Sequence, residues 1–256
     1  MCFAVDGRPP ELPAGYPLVA GGAAAEPLEL TSADGTRFAA ALAESADARD
    51  PAVVILPDVR GLYRFYVELA EQFASAGRHA IAIDYFGRTA GTGERDDDFE
   101  YRPHVDATTG AQIQADIAAA IDALPEPTGA RRVVTVGFCF GGMQSFNAGM
   151  NPDLDLAGVV GFYGILSRPR GGLAPVLARA ADIRCPVLGL FGGADQVVPV
   201  DDVEAFDRAL DETGVEHEIV VYPDAPHSFF DRKQEEFADA SADAWRRVLG
   251  FLDRLG

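Results

Sequence analysis

One cysteine stands in a tight turn between a predicted strand and a predicted helix. The run GFCFGG places Cys139 between Gly137 and Gly141, each two positions away, after the apolar run VVTVG and before helical spacing over 140–148. A nucleophile elbow needs small residues at these positions because its strand-to-helix turn is very sharp. The helix start would point free N–H groups at the thiol and favour the thiolate. The pattern predicts a nucleophile, with a buried structural cysteine as the alternative.

A general base for that thiol must follow a later strand. The chain has four histidines, of which only His217 and His227 lie beyond the elbow. His217 falls inside the predicted strand over 216–222, where an alternating polar residue is the ordinary explanation. His227 follows the end of that strand, after the turn PDAP, so we predict that His227 is the base.

The acid that orients this histidine is expected after the preceding strand, VLGLFGG. Asp195 lies just beyond it, at the strand end where α/β sheets place ligands. A carboxylate there can accept a hydrogen bond from one ring nitrogen of His227. The alternative is a turn or helix-cap residue, but Asp201 and Asp202 are better placed for that cap. The order Cys139, Asp195, His227 is that of the α/β-hydrolase fold.

Strands and helices alternate along most of the chain. This alternation predicts an α/β fold of the α/β-hydrolase type: a mostly parallel central sheet with helices on both faces. An antiparallel hairpin over 28–31 and 37–43, with the turn SADG, precedes it. We expect an irregular N-terminal arm over 1–27 and a single α/β-hydrolase domain over 28–256. The predicted helices are 63–76, 109–124, 140–148, 200–213 and 239–255.

One polar stretch, residues 87–106, interrupts the alternation. Long loops of this kind in compact domains are often lids or binding loops. The alternative is a solvated acidic insertion, because the run Glu94–Asp98 offers nothing to pack.

Charge and cysteine content exclude several classes of protein. Forty acidic residues against 21 basic ones give a net charge of −19, which disfavours nucleic-acid and membrane-surface partners. The three cysteines form no CxxC motif and no metal-ligand spacing with histidine, so we expect a reducing, cytoplasmic location and no metal site. The first twenty residues show no signal peptide, and no apolar run is long enough to cross a membrane.

Several motifs together resemble one known family. GFCFGG, GGADQVVP and PDAPHSFF, with the earlier LPDVRG and DYFGR, are similar to the dienelactone hydrolase family of α/β-hydrolases, from Ala52 to the C-terminus. The resemblance implies hydrolysis of an ester or lactone through a thioester acyl-enzyme, without metal or organic cofactor. It carries over Cys139 as nucleophile, His227 as base and Asp195 as orienting acid.

The resemblance also implies an oxyanion hole and a residue near the thiol. The oxyanion would be held by the backbone N–H groups of Phe140 and Val59. Family members carry a glutamate after the first parallel strand that contacts the resting thiol. Here that position is Asp58, which is shorter by one methylene.

Family members that open lactones bearing a carboxylate hold it with two arginines. Arg88 matches the first, whereas the second position is Asp231, followed by Arg232. A loop shift would be needed to bring Arg232 in. Arg60 is a further candidate cation, or a partner for Asp58. Each arginine could equally be a solvated surface charge.

These residues leave three hypotheses. The first is a cysteine hydrolase of the dienelactone type for a small cyclic or linear ester, with or without a carboxylate. The second is a broad carboxylesterase for neutral esters, which Asp58 and Asp231 favour. The third is a hydrolase-like binding protein without turnover, whose 87–106 stretch meets a partner. The sequence leaves the oligomeric state open.

Overall fold

The computed structural model describes residues 7–19, 24–96, 98–125 and 132–256. Within these ranges the chain forms one eight-stranded sheet. Its strands are β1 (Glu26–Thr31), β2 (Arg37–Ala43), β3 (Ala52–Leu56), β4 (Ala80–Ile83), β5 (Val133–Phe138), β6 (Gly158–Phe162), β7 (Val187–Gly192) and β8 (His217–Tyr222). They lie in the order β1-β2-β4-β3-β5-β6-β7-β8.

The sheet is antiparallel at its β1 end and parallel elsewhere. The pairs β1–β2 and β2–β4 are antiparallel, and β4, β3, β5, β6, β7 and β8 are mutually parallel. Every residue of β3, β5, β6 and β7 is buried, as expected for strands that helices cover on both faces. The predicted α/β-hydrolase fold is confirmed. The predicted hairpin is present, with β1 beginning at Glu26 rather than Leu28.

The helices form a layer on each face of this sheet. They are α1 (Arg64–Ser75), α2 (Gly87–Ala90), α3 (Tyr101–Ala107), α4 (Gly110–Ala123), α5 (Phe140–Gly149), α6 (Val176–Arg179), α7 (Val200–Thr213) and α8 (Ala238–Leu255). Side chains of α1 and α8 share one core cluster, and those of α4, α5 and α7 share the other. No helix in the described ranges is both long and apolar enough to cross a bilayer.

The polar stretch 87–106 is more ordered than its composition indicates. It contains α2 and most of α3, and the loop between them buries Arg95. The Arg95 guanidinium lies 2.8 Å from an Asp84 carboxylate oxygen and 4.7 Å from the Phe99 ring centroid. The expectation that Glu94–Asp98 has nothing to pack is therefore wrong for Arg95. Its ion-pair partner, Asp84, follows β4 and lies outside the stretch, so the residue pattern within 87–106 could not reveal the pair.

Because the Asp84–Arg95 ion pair is buried, we expect replacement of Arg95 to destabilise the fold. Its side chains are only 1% and 4% exposed, so Arg95→Met would leave a buried carboxylate without its partner. We expect the free energy of unfolding, measured by urea denaturation, to fall by about 3–5 kcal/mol. The control Arg64→Met removes an exposed pair with Glu68 and should cost less than about 1 kcal/mol. Equal losses in the two variants would show that the pair does not anchor this loop.

Candidate active site

The backbone at Cys139 adopts a rare conformation. Its φ of 53° and ψ of −108° lie in a region that L-residues seldom occupy. Its N–H donates to the Phe162 carbonyl oxygen at 3.0 Å, and its own carbonyl oxygen accepts from the Met143 N–H at 3.1 Å. These bonds fix the sharp turn from β5 into α5. Strain held in this way is typical of functional sites.

Two glycines make the turn possible because neighbouring backbone leaves no room for side chains. A Cβ atom on Gly137 would lie 2.0 Å from the Gly141 carbonyl oxygen. One on Gly141 would lie 2.0 Å from the Leu56 oxygen and 2.4 Å from the Pro57 oxygen. The segment after β3 therefore lies directly against the first turn of α5.

Asp195 is fixed on both of its carboxylate oxygens. Oδ1 accepts hydrogen bonds from the N–H groups of Val197 at 2.6 Å and Val198 at 3.1 Å. Oδ2 accepts from Nδ1 of His227 at 2.7 Å. The Asp195 side chain is fully buried and the His227 side chain is 14% exposed. Asp195 therefore organises its own turn and also orients the imidazole.

The helix after this turn is not capped as predicted. Pro199 is the N-cap residue of α7, and no side chain caps the helix. Asp201 and Asp202 lie in its first turn instead, where their charge favours the helix dipole without occupying the cap.

The imidazole of His227 lies between a carboxylate and a thiol. Burial alone would lower the pKa of His227. Hydrogen bonds to Asp195 and Cys139, with the negative charge of both, outweigh burial and raise the pKa to about 10. Since Nδ1 faces Asp195, Nε2 is the nitrogen left for the sulfur. The structure thus brings together Cys139, His227 and Asp195, three residues far apart in sequence.

Phe140 and Val59 lie where the resemblance implies the two oxyanion donors. Phe140 is the first residue of α5, and Val59 belongs to the segment that lies against that turn. Neither N–H donates to another residue within the described ranges. The N-terminal end of α5 adds a favourable dipole for negative charge. The assignment of the oxyanion hole remains a prediction.

Asp58 is buried beside Arg60. Its Oδ1 accepts from the Arg60 N–H at 2.8 Å, and its own N–H donates to the Tyr66 hydroxyl at 2.9 Å. The Arg60 guanidinium lies 3.7 Å from the same carboxylate and 4.1 Å from the Tyr63 ring centroid. Burial raises the pKa of Asp58, and the charge of Arg60 opposes that rise. Arg60 therefore pairs with Asp58, one of its two predicted roles.

Arg88 is held by two other parts of the fold. Its guanidinium donates to both carboxylate oxygens of Asp116 at 2.7 and 2.9 Å, to Asp34 at 2.8 Å and to the Ser32 hydroxyl at 3.0 Å. These bonds tie α2 to α4 and to the β1–β2 turn. They account for the position of Arg88 without a ligand and do not support its predicted role in substrate binding.

Asp231 and Arg232 lie beside the predicted base. Arg232 donates to the Ser228 hydroxyl at 3.0 Å, and its charge lowers the pKa of both Asp58 and Asp231. Burial, followed by the charge of Asp58, nevertheless raises the pKa of Asp231 to about 7. The structure thus places Arg232 near the two carboxyl groups without a loop shift.

Tyr163 was not singled out from the sequence. Its hydroxyl donates to Oδ2 of Asp231 at 2.9 Å, and its ring centroid lies 4.9 Å from that of His227. Tyr163 directly follows β6, at the edge of the sheet where Cys139 follows β5. That position after a buried strand was the one available signal.

Comparisons with known proteins identify the family of this chain. The model of the dienelactone hydrolase family matches residues 38–256. The chain belongs to the dienelactone hydrolase family. A Salmonella typhimurium protein named "Putative carboxymethylenebutenolidase" is 30% identical over 223 residues, which cover 83% of this chain and 80% of that protein. As a member of this family, the protein is a carboxylic ester or lactone hydrolase.

Solved structures show the same fold. A "Putative Dienelactone Hydrolase" from Klebsiella pneumoniae has a TM-score of 0.74 and 27% identity, covering 89% of this chain and 99% of that one. A dienelactone hydrolase-like promiscuous phosphotriesterase from metagenomic libraries has a TM-score of 0.72 and 25% identity, covering 91% of this chain and 99% of that one.

Across the described residues, no group of three or more His, Cys, Asp or Glu side chains could hold a metal ion.

The raised pKa of His227 predicts a pH dependence of stability. An ordinary histidine has a pKa of 6.5, and here the folded state raises it to about 10. Protonated His227 therefore stabilises the fold fully below pH 6.5, and this contribution is lost as the pH rises through 10. We expect the free energy of unfolding to fall more steeply over this range in the wild type than in His227→Gln.

Urea denaturation at several pH values measures these slopes. His217→Gln is the matched control, because it removes a histidine on β8 whose carboxylate neighbours, Asp207 and Asp211, are exposed rather than buried. Its slope should lie closer to that of the wild type than the slope of His227→Gln does, because solvent screens exposed pairs. Parallel slopes for the wild type and His227→Gln would contradict the proton-binding assignment.

Proposed function

We propose that the protein hydrolyses a small ester or lactone through a thioester acyl-enzyme formed on Cys139. The observation that carries this proposal is the position of the His227 imidazole, which hydrogen-bonds Asp195 and interacts with the Cys139 thiol. A base in that position can hold the sulfur as a thiolate and later activate water. Membership of the dienelactone hydrolase family supports the same reaction class.

Acylation begins with attack of the Cys139 sulfur on the carbonyl carbon. A C–S bond forms, and the carbonyl π electrons move onto the oxygen, which the N–H groups of Phe140 and Val59 stabilise. When the oxyanion collapses, the C–O bond to the leaving group breaks. The departing alkoxide takes a proton from the His227 imidazolium. In a lactone, this alkoxide stays attached to the acyl chain.

Deacylation reverses the roles of acid and base. Neutral His227 removes a proton from water as the water oxygen attacks the thioester carbonyl. The second oxyanion collapses, the C–S bond breaks, and Cys139 leaves as a thiolate beside the restored imidazolium. Asp195 keeps Nδ1 protonated throughout, so that Nε2 can exchange the proton. The sum is ester plus water giving acid plus alcohol.

The charges around the site favour esters that carry no carboxylate, the second candidate function. Hydrogen bonds to other parts of the fold hold Arg88. Arg60 and Arg232 lie close to the buried carboxyl groups of Asp58 and Asp231, which offset part of the positive charge when they are ionised. A substrate anion would meet those carboxyl groups as well as the arginines. We therefore propose a neutral ester or lactone as the preferred substrate.

The nucleophile is tested by Cys139→Ala. We expect turnover of an aryl ester to fall by more than about a thousandfold, because no sulfur remains to form the acyl-enzyme. Mass spectrometry of the wild type, quenched during turnover, should find the acyl group on the peptide containing Cys139. Cys185→Ala is the control. Cys185 is a buried cysteine outside the proposed site, so this variant should retain turnover. Unchanged activity in Cys139→Ala would refute the thioester route.

Substrate charge is tested with a lactone acid and its neutral methyl ester. We expect kcat/KM to be about tenfold higher for the methyl ester, because one uncompensated charge contact at short range costs about that much. Only opening of the lactone bond, which both substrates share, is counted, because the methyl ester is itself a second hydrolysable bond; the ratio for that bond then reports the effect of charge. A preference for the acid would establish an anion site and refute the neutral-substrate proposal.

A further inference from the structure

Tyr163 occupies a constrained place at the edge of the sheet. Its φ is 39°, in the left-handed region that disfavours residues with a Cβ atom. Its N–H donates to the Leu190 carbonyl oxygen at 2.8 Å, so the backbone remains tied to β7. The preceding residue, Phe162, accepts the N–H of Cys139. Tyr163 is thus joined to the elbow through one residue of backbone.

The side chain of Tyr163 touches two groups of different kinds. Its ring lies against the imidazole of His227, with centroids 4.9 Å apart and planes inclined at 56°. Its hydroxyl donates to Asp231 at 2.9 Å. Tyr163 is fully buried and Asp231 is 5% exposed, so solvent does not compete for this hydrogen bond. The phenol therefore has one anchored end and one face against the predicted base.

Several charged or titratable groups surround Asp231. Burial raises the pKa of Asp231, the charge of Asp58 raises it further, and the charge of Arg232, the next residue along the chain, lowers it. Burial also raises the pKa values of Tyr63, Tyr66 and Tyr163, and the charge of Asp231 adds to each of these rises. Since burial and the charge of Asp58 together raise the pKa of Asp231 to about 7, this carboxyl group changes its ionisation state near neutral pH.

We propose that Tyr163 and Asp231 form a positioning pair for His227, in which their hydrogen bond holds the phenol ring against the imidazole. The ring then keeps His227 in the orientation that reaches Asp195 and Cys139 together. A phenol donates more strongly to a carboxylate than to a carboxylic acid, so ionisation of Asp231 tightens the pair. This inference rests on the proposed function, in which His227 is the general base.

Removing the hydrogen bond should slow catalysis more than it weakens binding. We expect Tyr163→Phe to lower kcat roughly tenfold, the value of one hydrogen bond to a charged acceptor, with little change in KM. Asp231→Asn retains an acceptor for the phenol but cannot ionise. The ratio of wild-type kcat to Asp231→Asn kcat should therefore rise as the pH increases through about 7.

Tyr222→Phe is the matched control. The Tyr222 hydroxyl also donates to a carboxylate, Asp243, at 2.9 Å, and its ring contacts Phe229 instead of His227. Its kcat should stay at the wild-type value. Equal losses in Tyr163→Phe and Tyr222→Phe, or a kcat ratio for Asp231→Asn that does not vary with pH, would overturn the positioning role.

An NMR measurement, which does not depend on turnover, separates this inference from the proposed function. The imidazole resonances of His227, followed by NMR, should shift in Tyr163→Phe and stay in place in Tyr222→Phe. Such a shift supports the pair even if Cys139→Ala retains activity and the thioester route fails. If Tyr163→Phe unfolds, Asp231→Asn is compared with the wild type above about pH 7, where wild-type Asp231 is ionised and the amide is the weaker acceptor for the phenol. Unchanged His227 resonances at that pH would overturn the inference.

Discussion

Close backbone contact at the start of α5 is the constraint on which the site depends. The segment after β3 approaches so near that neither Gly137 nor Gly141 can carry a Cβ atom. Cys139 adopts its strained conformation in the same turn. The contact also brings Val59 towards the N-terminal end of α5, where Phe140 presents its N–H. One steric condition therefore positions a thiol and two candidate oxyanion donors together, before any side chain contributes binding energy.

Burial controls the charges that surround this turn. The protein carries a net charge of −19, yet Arg60 and Asp58 bring opposite charges to within 3.7 Å of each other in the segment after β3. His227 is pulled towards its protonated form because a fully buried carboxylate and a thiol flank it. Asp231 is pulled towards its neutral form because it is buried near Asp58. Desolvation thus acts on both groups: at Asp231 it is the largest cause of the shift, whereas at His227 the neighbouring hydrogen bonds and charges outweigh it.

Chain order and small residues mark the site features that the sequence predicts. The elbow and the order Cys139, Asp195, His227 are local features, each visible at the end of an apolar run. Contacts with a partner distant along the chain are not visible in this way. The bonds of Arg88 to Asp116, for example, join α2 to α4, and no local pattern encodes them.

What the sequence determined by itself was the succession of strands and helices, the sharp turn at Cys139 and the family to which the chain belongs. These follow from hydrophobic periodicity and from glycine spacing, which act over a few residues. Only the tertiary structure decided that Arg95 is buried and that Tyr163 lies between Asp231 and His227. Such contacts join segments many residues apart. Their energies depend on desolvation and distance in the packed molecule, which the order of residues along the chain does not specify.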